Sequence, residues 1–289
     1  MTAPSRLRPY LGLGRVSNLP TVWTNVLAGV VLAGGRPGPF TWLALLTAAS
    51  LFYLGGMFLN DAFDREVDAR ERPERPIPAG LIGAGEVFAV GFGLLAGGWL
   101  AVAVAAGARS PASLAALGLT GAVVLYDAWH KGNPLSPVLM GLCRVLVYVT
   151  AALAVAPPLH APVVWGSATL LAYLIGLTYV AKQENLAEVR NLWPLGFLGA
   201  PFLYGLPALD AGGVGTVAWL ALTGAVGRAL VLLRSQKPRR IPRAVVTLIA
   251  GISLLDAVLL ARAGAPGIAL AAMAAFPVTM ALQRYVSGT

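Results

Sequence analysis

Ten apolar runs, each close to 20 residues long, constrain the fold of this chain more than any other feature of its sequence. A helix of about 20 residues is long enough to cross the hydrocarbon core of a bilayer, which is about 30 Å thick. Only 11% of the residues are charged, which is too few to cover a water-facing surface. The runs cover residues 17–33, 41–60, 84–107, 111–128, 135–156, 161–181, 194–210, 214–233, 243–261 and 265–285. The sequence therefore predicts an all-α polytopic membrane protein in which residues 1–289 form a single membrane domain.

The run at 194–210 is the weakest of the ten. It is short and contains Pro194, Pro201 and Pro207. Proline removes a backbone hydrogen bond and its ring clashes with the preceding turn of a helix, so we expect a broken or re-entrant segment here. The predicted number of transmembrane helices is therefore nine to ten.

Lys and Arg divide unevenly between the two sides of the membrane that ten crossings would define. Sixteen of the 21 lie on one side, and two more lie inside apolar runs, so that the other side has Arg36, Arg109 and Arg262. Cytoplasmic loops carry the excess of basic residues, and both termini are therefore predicted to be cytoplasmic if there are ten helices. The chain is predicted to be an integral, multi-pass protein of a bacterial inner membrane.

The net charge of +9 and the single cysteine bear on two other classes of protein. The basic residues are spread through an apolar chain and are explained by membrane topology, so no nucleic acid is expected as a partner. Cys143 has no second cysteine in the chain with which to form a disulfide. Redox chemistry through a pair of thiols is therefore excluded.

The acidic residues gather on the same side as most of the basic residues, and the densest group follows the second apolar run. Asn60, Asp64 and Asp68 recur at four-residue spacing, so their side chains lie on one face if the helix continues beyond the membrane. Three such oxygen-bearing side chains suit Mg²⁺, which is usually bound through carboxylates together with substrate phosphates. The alternative is a solvated helix end with charge pairs such as Asp61 with Arg65.

A second acidic pair, Glu184 and Glu188, follows the sixth apolar run at the same four-residue spacing. Four crossings separate this pair from the first acidic group, so both groups face the same side of the membrane. Two carboxylate clusters that face one cavity can hold more than one Mg²⁺ around a diphosphate, whose negative charge would otherwise repel them. A solvated helix end is an equal alternative for this pair.

These residues resemble the UbiA superfamily of intramembrane prenyltransferases. The characteristic motif of that superfamily, Asn-Asp-x-x-Asp-x-x-x-Asp, matches residues 60–68, and the Arg-Pro-Ile-Pro-Ala-Gly that follows it matches residues 75–80. The order of the helices and the stretch 126–131 also match, so the resemblance covers about residues 15–235. The sequence of residues 15–21 is similar to that of the EboC-like branch of the superfamily.

The resemblance implies a fold and an activity. The implied fold is a UbiA-like bundle, usually of nine helices, around a central cavity that opens to the cytoplasmic side. The implied activity is Mg²⁺-dependent transfer of an isoprenyl group from an isoprenyl diphosphate to an aromatic or lipid-like acceptor within the membrane. The expected cofactor is therefore Mg²⁺, and the expected partners are the isoprenyl diphosphate, a hydrophobic or aromatic acceptor, and membrane lipid.

The resemblance also implies roles for individual residues. The residues expected to hold Mg²⁺ are Asn60, Asp64, Asp68, Glu184 and Glu188. The residues expected to be catalytic are Asp64, Asp68, Tyr126 and Lys131. The residues expected to bind the diphosphate are Asn60, Arg75, Lys131, Arg144 and Lys182. Of these, Arg144 lies inside an apolar run, where a charge is costly, so we expect it at the wall of the cavity.

One departure from the family motif leaves a second function open. The family usually has Asp-x-x-x-Asp where this chain has Glu184 and Glu188, and the longer side chains move the carboxylate oxygens by one methylene. A non-catalytic UbiA-like carrier or transporter of lipid or isoprenoid is therefore the alternative. An unrelated small-solute transporter would place its binding groups at the broken segment 194–210, but it leaves residues 60–80 unexplained.

Overall fold

The computed structural model describes residues 7–182, 193–234 and 240–286. Within these ranges the chain is helical and has no β-strand, so the predicted all-α class is confirmed. The α-helices are α1 (Leu7–Leu13), α2 (Leu19–Leu32), α3 (Pro39–Glu71), α4 (Ala84–Ala106), α5 (Pro111–Trp129), α6 (Ser136–Val155), α7 (Ala161–Lys182), α8 (Ala200–Gly205), α9 (Gly213–Arg234), α10 (Ile241–Arg262) and α11 (Pro266–Leu282). Short 3-10 helices lie at Val16–Asn18, Trp193–Gly199 and Leu206–Leu209.

Seven α-helices in the described ranges are long and apolar enough to cross a membrane, namely α3 to α7, α9 and α10. Two shorter apolar helices, Val16–Leu32 and Pro266–Leu282, precede and follow them in the sequence. The protein is therefore an integral membrane protein. The finer count of nine to ten spans stays a prediction, because it depends on how the two shorter helices and the segment 194–210 lie in the bilayer.

The segment predicted to be broken has no continuous helix. It consists of the short α8 with one 3-10 helix on each side. Each of the three pieces has a proline near its start: Pro194, Pro201 and Pro207. The segment first packs against α7, where a Cβ on Gly176 would come within 2.8 Å of the Leu198 side chain. It then reaches the end of α10, where Arg262 Nη1 donates to the carbonyl oxygen of Tyr204 at 2.7 Å.

The longest helix, α3, runs for 33 residues, or about 50 Å at 1.5 Å per residue, which exceeds the thickness of a hydrocarbon core. The predicted continuation of the helix beyond the apolar run is therefore confirmed. Three prolines in the next nine residues exclude further helix. Instead the chain turns: Ala79 N–H donates to the Arg75 carbonyl oxygen at 2.9 Å, and Gly80, with φ of 70°, donates to Ile77 at 3.0 Å. These turns direct Arg75 back toward α3.

The hydrophobic core has its centre at α10, which is buried along nearly all of its apolar length. This helix packs against α2, α7, α9 and α11, while α3 packs mainly against α4 and α5 against α6. A central cavity remains between these groups, bordered by α2, α3, α5, α6, α7 and α10. The polar C-terminal part of α3 therefore forms part of one wall of this cavity.

Candidate active site

The central cavity has a volume of about 580 Å³, which lies within the usual range for small-molecule sites. One end is lined by polar and charged side chains from the C-terminal part of α3, from the turns that follow it, and from the ends of α5 and α7. The remainder is mostly apolar and includes Phe52, Leu119, Val123, Val147 and Ile252. A single cavity thus combines an ionic end with an apolar interior.

Asn60, Asp64 and Asp68 all line the ionic end of the cavity, as their four-residue spacing predicts. Their exposed fractions are 9%, 9% and 4%, so all three side chains are buried. A solvated helix end would leave them open to water, and that alternative is therefore wrong for this face of α3. The opposite face does match it, because Glu66 is exposed and pairs with Arg65 at 3.1 Å.

Two arginines at the ionic end are paired with carboxylates of α3. Arg75 Nη1 donates to Asp68 Oδ2 at 2.8 Å and to Asp61 Oδ1 at 3.2 Å. Arg15 Nη2 donates to the same oxygen of Asp61 at 3.2 Å. Asp61 therefore pairs with two arginines that are distant in sequence, and not with Arg65 as the solvated-helix alternative has it. Both the turn after α3 and the segment before α2 are tied to α3 by these ion pairs.

The involvement of Arg15 was not predicted. Its backbone φ of 41° lies in the left-handed region, and it is the one non-glycine residue with positive φ in the described parts of the chain. Such a conformation costs of order 1–3 kcal/mol and persists where the surroundings fix it. Here the side chain is held by Asp61, and Tyr53 Oη donates to the Arg15 carbonyl oxygen at 3.3 Å. The sequence places Arg15 in the stretch that resembles the family but gives no signal of these partners.

Asp64 is paired with basic residues that follow α5. Lys131 Nζ lies 3.1 Å from Asp64 Oδ1, and His130 Nε2 lies 3.5 Å from Asp64 Oδ2. The rings of Tyr126 and His130 stack with their centroids 5.0 Å apart and their planes at 21°. The structure therefore brings the predicted residues Asp64, Tyr126 and Lys131 to one place. It adds His130, which the sequence analysis did not include among the site residues.

Asp127 is a further carboxylate at this end of the cavity, and the sequence analysis did not assign it a role. It lines the cavity, yet only 4% of its surface is exposed. Asn60 Nδ2 donates to Asp127 Oδ1 at 3.3 Å, while Oδ2 has no hydrogen-bond partner among the described residues. Its position next to Tyr126 in the sequence was the available signal.

Arg144 lines the cavity on α6, as predicted for a charge inside an apolar run. Its Nη1 donates to Asn25 Oδ1 at 2.9 Å and its Nη2 to Thr21 Oγ1 at 3.2 Å, and its guanidinium carbon lies 5.5 Å from the centroid of the Tyr53 ring. These contacts bind Arg144 to α2 and α3. Both of these hydrogen bonds go to α2 and neither goes to the α3 carboxylates, so Arg144 stands apart from the ion-pair cluster.

Asp256 on α10 lies behind Arg144 and is fully buried. Asn25 Nδ2 donates to Asp256 Oδ2 at 2.8 Å, and Tyr148 Oη donates to Asp256 Oδ1. Because Asn25 also accepts a hydrogen bond from Arg144, it links the arginine to a buried negative charge. The network therefore connects α2, α6 and α10 and supplies the charge that compensates Arg144 inside the bundle.

The remaining predicted site residues are Lys182, Glu184 and Glu188. Lys182, the last residue of α7, lines the cavity, and its Nζ donates to the carbonyl oxygen of Asn133 at 2.9 Å. Glu184 and Glu188 lie outside the described residues. Their predicted role as metal ligands therefore stays a prediction.

The oxygen atoms of Asn60, Asp64 and Asp68 fit a divalent metal by their chemistry, because carboxylate and amide oxygens are the protein ligands of Mg²⁺. In the described ranges, no group of three Asp, Glu, His or Cys side chains converges closely enough to hold a metal by itself. The role of these three residues as metal ligands therefore stays a prediction, and a metal ion held by them would need further oxygen ligands from outside this group.

The fold and this site define a class of protein: a helical membrane protein whose internal cavity joins a buried acidic and basic cluster to an apolar interior. The model of the UbiA prenyltransferase family matches residues 21–248. The chain belongs to the UbiA prenyltransferase family. The predicted family and the predicted enzyme class, a prenyltransferase, are confirmed, whereas the assignment to the EboC-like branch stays a prediction.

The chain is similar in sequence to archaeal enzymes with two different names. The chain is 32% identical over 256 residues to digeranylgeranylglyceryl phosphate synthase of Methanopyrus kandleri, which covers 78% of this chain and 87% of that protein. It is 34% identical over 125 residues to protoheme IX farnesyltransferase 1 of Cenarchaeum symbiosum, which covers 42% of each protein. Both names denote enzymes of isoprenyl transfer.

Solved structures support the fold. A structure of digeranylgeranylglyceryl phosphate synthase superposes with a TM-score of 0.64 over 90% of this chain and 99% of that chain, at 18% identity. An apo structure of a UbiA homolog from Aeropyrum pernix K1 superposes with a TM-score of 0.66 over 85% of this chain and 96% of that chain, at 15% identity. At these identities the likeness concerns the architecture of the bundle.

Proposed function

We propose that this protein transfers an isoprenyl group from an isoprenyl diphosphate to a hydrophobic acceptor within the membrane, with Mg²⁺ as cofactor. The observation that carries the proposal is the single cavity whose ionic end contains Asp64, Asp68, Arg75 and Lys131 and whose interior is apolar. A substrate with a charged diphosphate and a long apolar chain matches both parts. Membership of the UbiA prenyltransferase family supports the same activity.

The proposed metal ligands are Asn60, Asp64 and Asp68 on α3, together with Glu184 and Glu188 outside the described residues. The α3 side chains line the cavity and offer oxygen atoms, which is the donor chemistry that Mg²⁺ requires. When bound, Mg²⁺ supplies positive charge that offsets the charge of the diphosphate. Without this charge the carboxylates would repel the diphosphate, which explains why an acidic cluster suits an anionic substrate.

Arg75 and Lys131 bind the oxygens of the diphosphate. An arginine has five N–H donors, and the two carboxylate contacts of Arg75 both use Nη1, so its other nitrogens can donate to the diphosphate. Lys131 is partly exposed beside Asp64 and acts as a point charge. Lys182 lines the same end and is a third proposed diphosphate ligand. Charge-assisted hydrogen bonds of this kind are about twice as strong as neutral ones.

The reaction breaks the bond between the allylic carbon and the diphosphate oxygen and forms a bond from that carbon to the acceptor, which loses a proton. Negative charge grows on the departing diphosphate, and Arg75 and Lys131 stabilise it in place. Asp64 orients Lys131 through their ion pair, and His130, whose ring stacks on that of Tyr126, lies 3.5 Å from the same carboxylate. Breaking the bond to the diphosphate leaves positive charge on the allylic carbon, and the apolar walls exclude water, which would otherwise react with that carbon in place of the acceptor.

A lipid-like acceptor is favoured over an aromatic one. The digeranylgeranylglyceryl phosphate synthase of Methanopyrus kandleri is matched over 87% of its length, whereas the protoheme IX farnesyltransferase is matched over 42%. The name of the more completely matched relative denotes a lipid product. We extend that chemical class, a hydrophobic alcohol or lipid, to the acceptor of this chain.

The ionic end of the cavity faces the cytoplasm in this proposal, and both termini lie on the same side. The excess of Lys and Arg on that side supports this orientation. It requires ten crossings, with the broken segment at 194–210 as one of them. Leu198 of that segment packs against α7 and Tyr204 accepts a hydrogen bond from Arg262 at the end of α10, which favours a crossing. The relatives named above are archaeal, so they lend no support to a bacterial membrane in particular.

Release of pyrophosphate by the purified protein tests the proposed activity. Geranyl, farnesyl and geranylgeranyl diphosphates are supplied with and without Mg²⁺, together with lipid alcohols and aromatic acceptors. We expect Mg²⁺-dependent release that Asp64→Ala abolishes. Glu66→Ala is the matched control, because Glu66 is exposed on the opposite face of α3 and should leave release unchanged. Donor binding without release for every acceptor would instead support a non-catalytic carrier.

A further inference from the structure

The apolar interior of the central cavity ends at a wall with a second, smaller cavity behind it. The second cavity has a volume of about 10 Å³, room for roughly one water molecule. The residues that line both cavities are Ala49, Phe52, Leu119 and Val147. They come from α3, α5 and α6, and all four are buried. We call this group of four residues the floor of the central cavity.

Phe52 is the largest side chain of the floor, and it is 3% exposed. It precedes Asp64 by twelve residues on the same continuous helix, which corresponds to about 18 Å along α3 at 1.5 Å per residue. The carboxylates that we assign to the metal site and the aromatic ring of the floor therefore lie at opposite ends of one helical wall. The distance between them limits how long an apolar chain can be while its diphosphate occupies the ionic end.

The ring of Phe52 is fixed by its neighbours. A Cβ on Gly98 of α4 would lie 3.1 Å from three of the ring carbons, so the glycine permits a close approach that leaves the ring no space on that side. Close-packed interiors resist such displacement. Behind the floor, the second cavity is lined mostly by small or aliphatic side chains, among them Leu45, Ala48 and Val102.

We propose that Phe52 sets the upper limit on the length of the isoprenyl chain that the cavity accepts. This inference rests on the proposed function. A chain that reaches beyond the ring must displace it, and the resulting overpacking is unfavourable. A smaller side chain at position 52 instead opens the floor into the second cavity. The space gained is the volume that the aromatic ring vacates, to which the second cavity adds about 10 Å³. Such a change should favour longer donors.

The experiment measures kcat/KM for pyrophosphate release from geranyl, farnesyl, geranylgeranyl and geranylfarnesyl diphosphates. The variants are Phe52→Leu and Phe52→Ala, which enlarge the space at the floor, and Ala49→Leu, which reduces it. Phe58→Leu is the matched control, since Phe58 is a 5% exposed phenylalanine of the same helix that packs near Tyr10 and lines neither cavity. Phe52→Leu retains an apolar side chain and keeps the test usable if Phe52→Ala does not fold.

We expect the Phe52 variants to raise the ratio of kcat/KM for the longest donor to that for the shortest by about tenfold or more, because even one methylene can change specificity by that factor. Ala49→Leu should lower the ratio, and Phe58→Leu should leave it within about twofold of the wild type. The inference is overturned if the ratio is unchanged in Phe52→Leu and Ala49→Leu, or if Phe58→Leu changes it equally. In either case, turnover by the wild type still supports the proposed function.

Measurement of donor binding distinguishes a failure of the inference about Phe52 from a failure of the proposed function. The shift in the unfolding temperature of the detergent-solubilised protein is measured with each diphosphate in the presence of Mg²⁺. Binding by the wild type that extends to longer donors in Phe52→Leu supports the inference even when no acceptor is identified. If the wild type neither binds nor cleaves any of the four donors, both the proposed function and the role of Phe52 are overturned.

Discussion

Arg75 Nη1 lies 2.8 Å from Asp68 Oδ2, and this ion pair closes the chain back onto α3 immediately after that helix ends. Both side chains are largely buried, and the same nitrogen also contacts Asp61. The turns formed by residues 75–80 thus bring a cation against the acidic face of α3. One continuous stretch of sequence therefore supplies both the carboxylates and a basic partner at the ionic end of the cavity.

Replacement of Asp68 by asparagine should test the metal site with little change in shape. We expect Asp68→Asn to lower kcat for pyrophosphate release by at least about 100-fold, because it removes one negative charge from the proposed Mg²⁺ ligands while keeping an oxygen of similar position. The measurement is steady-state release over a range of Mg²⁺ concentrations. Glu66→Gln, on the exposed face of α3, should remain within about twofold of the wild type. Near-normal turnover in Asp68→Asn would remove Asp68 from the metal site.

Removal of Arg75 should destabilise the protein as well as weaken diphosphate binding. Arg75→Ala leaves Asp68 and Asp61 with less compensation in a buried position, and we expect a loss of about 2–4 kcal/mol in the free energy of unfolding. Denaturation in detergent micelles measures this loss. Arg70→Ala is the control, since Arg70 is exposed near the end of the same helix and should change stability by less than about 0.5 kcal/mol.

A double variant separates the ion pair from other effects of Arg75. If the charge of Asp68 is what Arg75 compensates, Arg75→Ala combined with Asp68→Asn should be more stable than the sum of the two single changes predicts. Additive losses would mean that Arg75 stabilises the turn through other contacts.

Much of the fold could be predicted from the sequence, because the length of an apolar run can be read from consecutive residues without knowledge of tertiary contacts. The apolar runs anticipate the long helices, and the three prolines of 194–210 anticipate the break, since proline acts on its own turn. The continuation of α3 past its apolar run depended on a condition, namely that the helix does not end at the membrane surface. The structure satisfies that condition, because α3 continues to Glu71.

The site was predictable only where its contacts are local or carried by a motif. Asn60, Asp64 and Asp68 share a helix face, and their spacing reveals it. Arg15 pairs with Asp61 across 46 positions, and Asn60 contacts Asp127 across 67, so helix packing alone brings them together. The residue pattern of a single helix cannot predict contacts between different helices. These partners are therefore apparent only in the folded bundle.

The buried network behind Arg144 should contribute to stability without taking part in catalysis. Asp256→Ala leaves Asn25 Nδ2 and Tyr148 Oη without their acceptor and removes the nearby compensation of Arg144, so we expect a loss of about 2–5 kcal/mol. Unfolding in detergent checks this expectation. Asp210→Ala, at an exposed carboxylate, is the control and should have almost no effect. A normal unfolding midpoint for Asp256→Ala would show that the network contributes little.

The second acidic pair offers a direct test of whether Glu184 and Glu188 complete the proposed metal site. The UbiA superfamily usually has aspartates where this chain has Glu184 and Glu188, and the glutamates preserve both charge and spacing. If they complete the metal site, the double change Glu184→Asp with Glu188→Asp should keep or raise Mg²⁺-dependent pyrophosphate release, because it retains both carboxylates. The double change to alanine should lower release by at least about 100-fold, since it removes two proposed ligands. Both double variants are compared at equal amounts of membrane-inserted protein. Effects limited to yield or insertion, with equal turnover per folded molecule in both variants, would exclude this pair from the metal site.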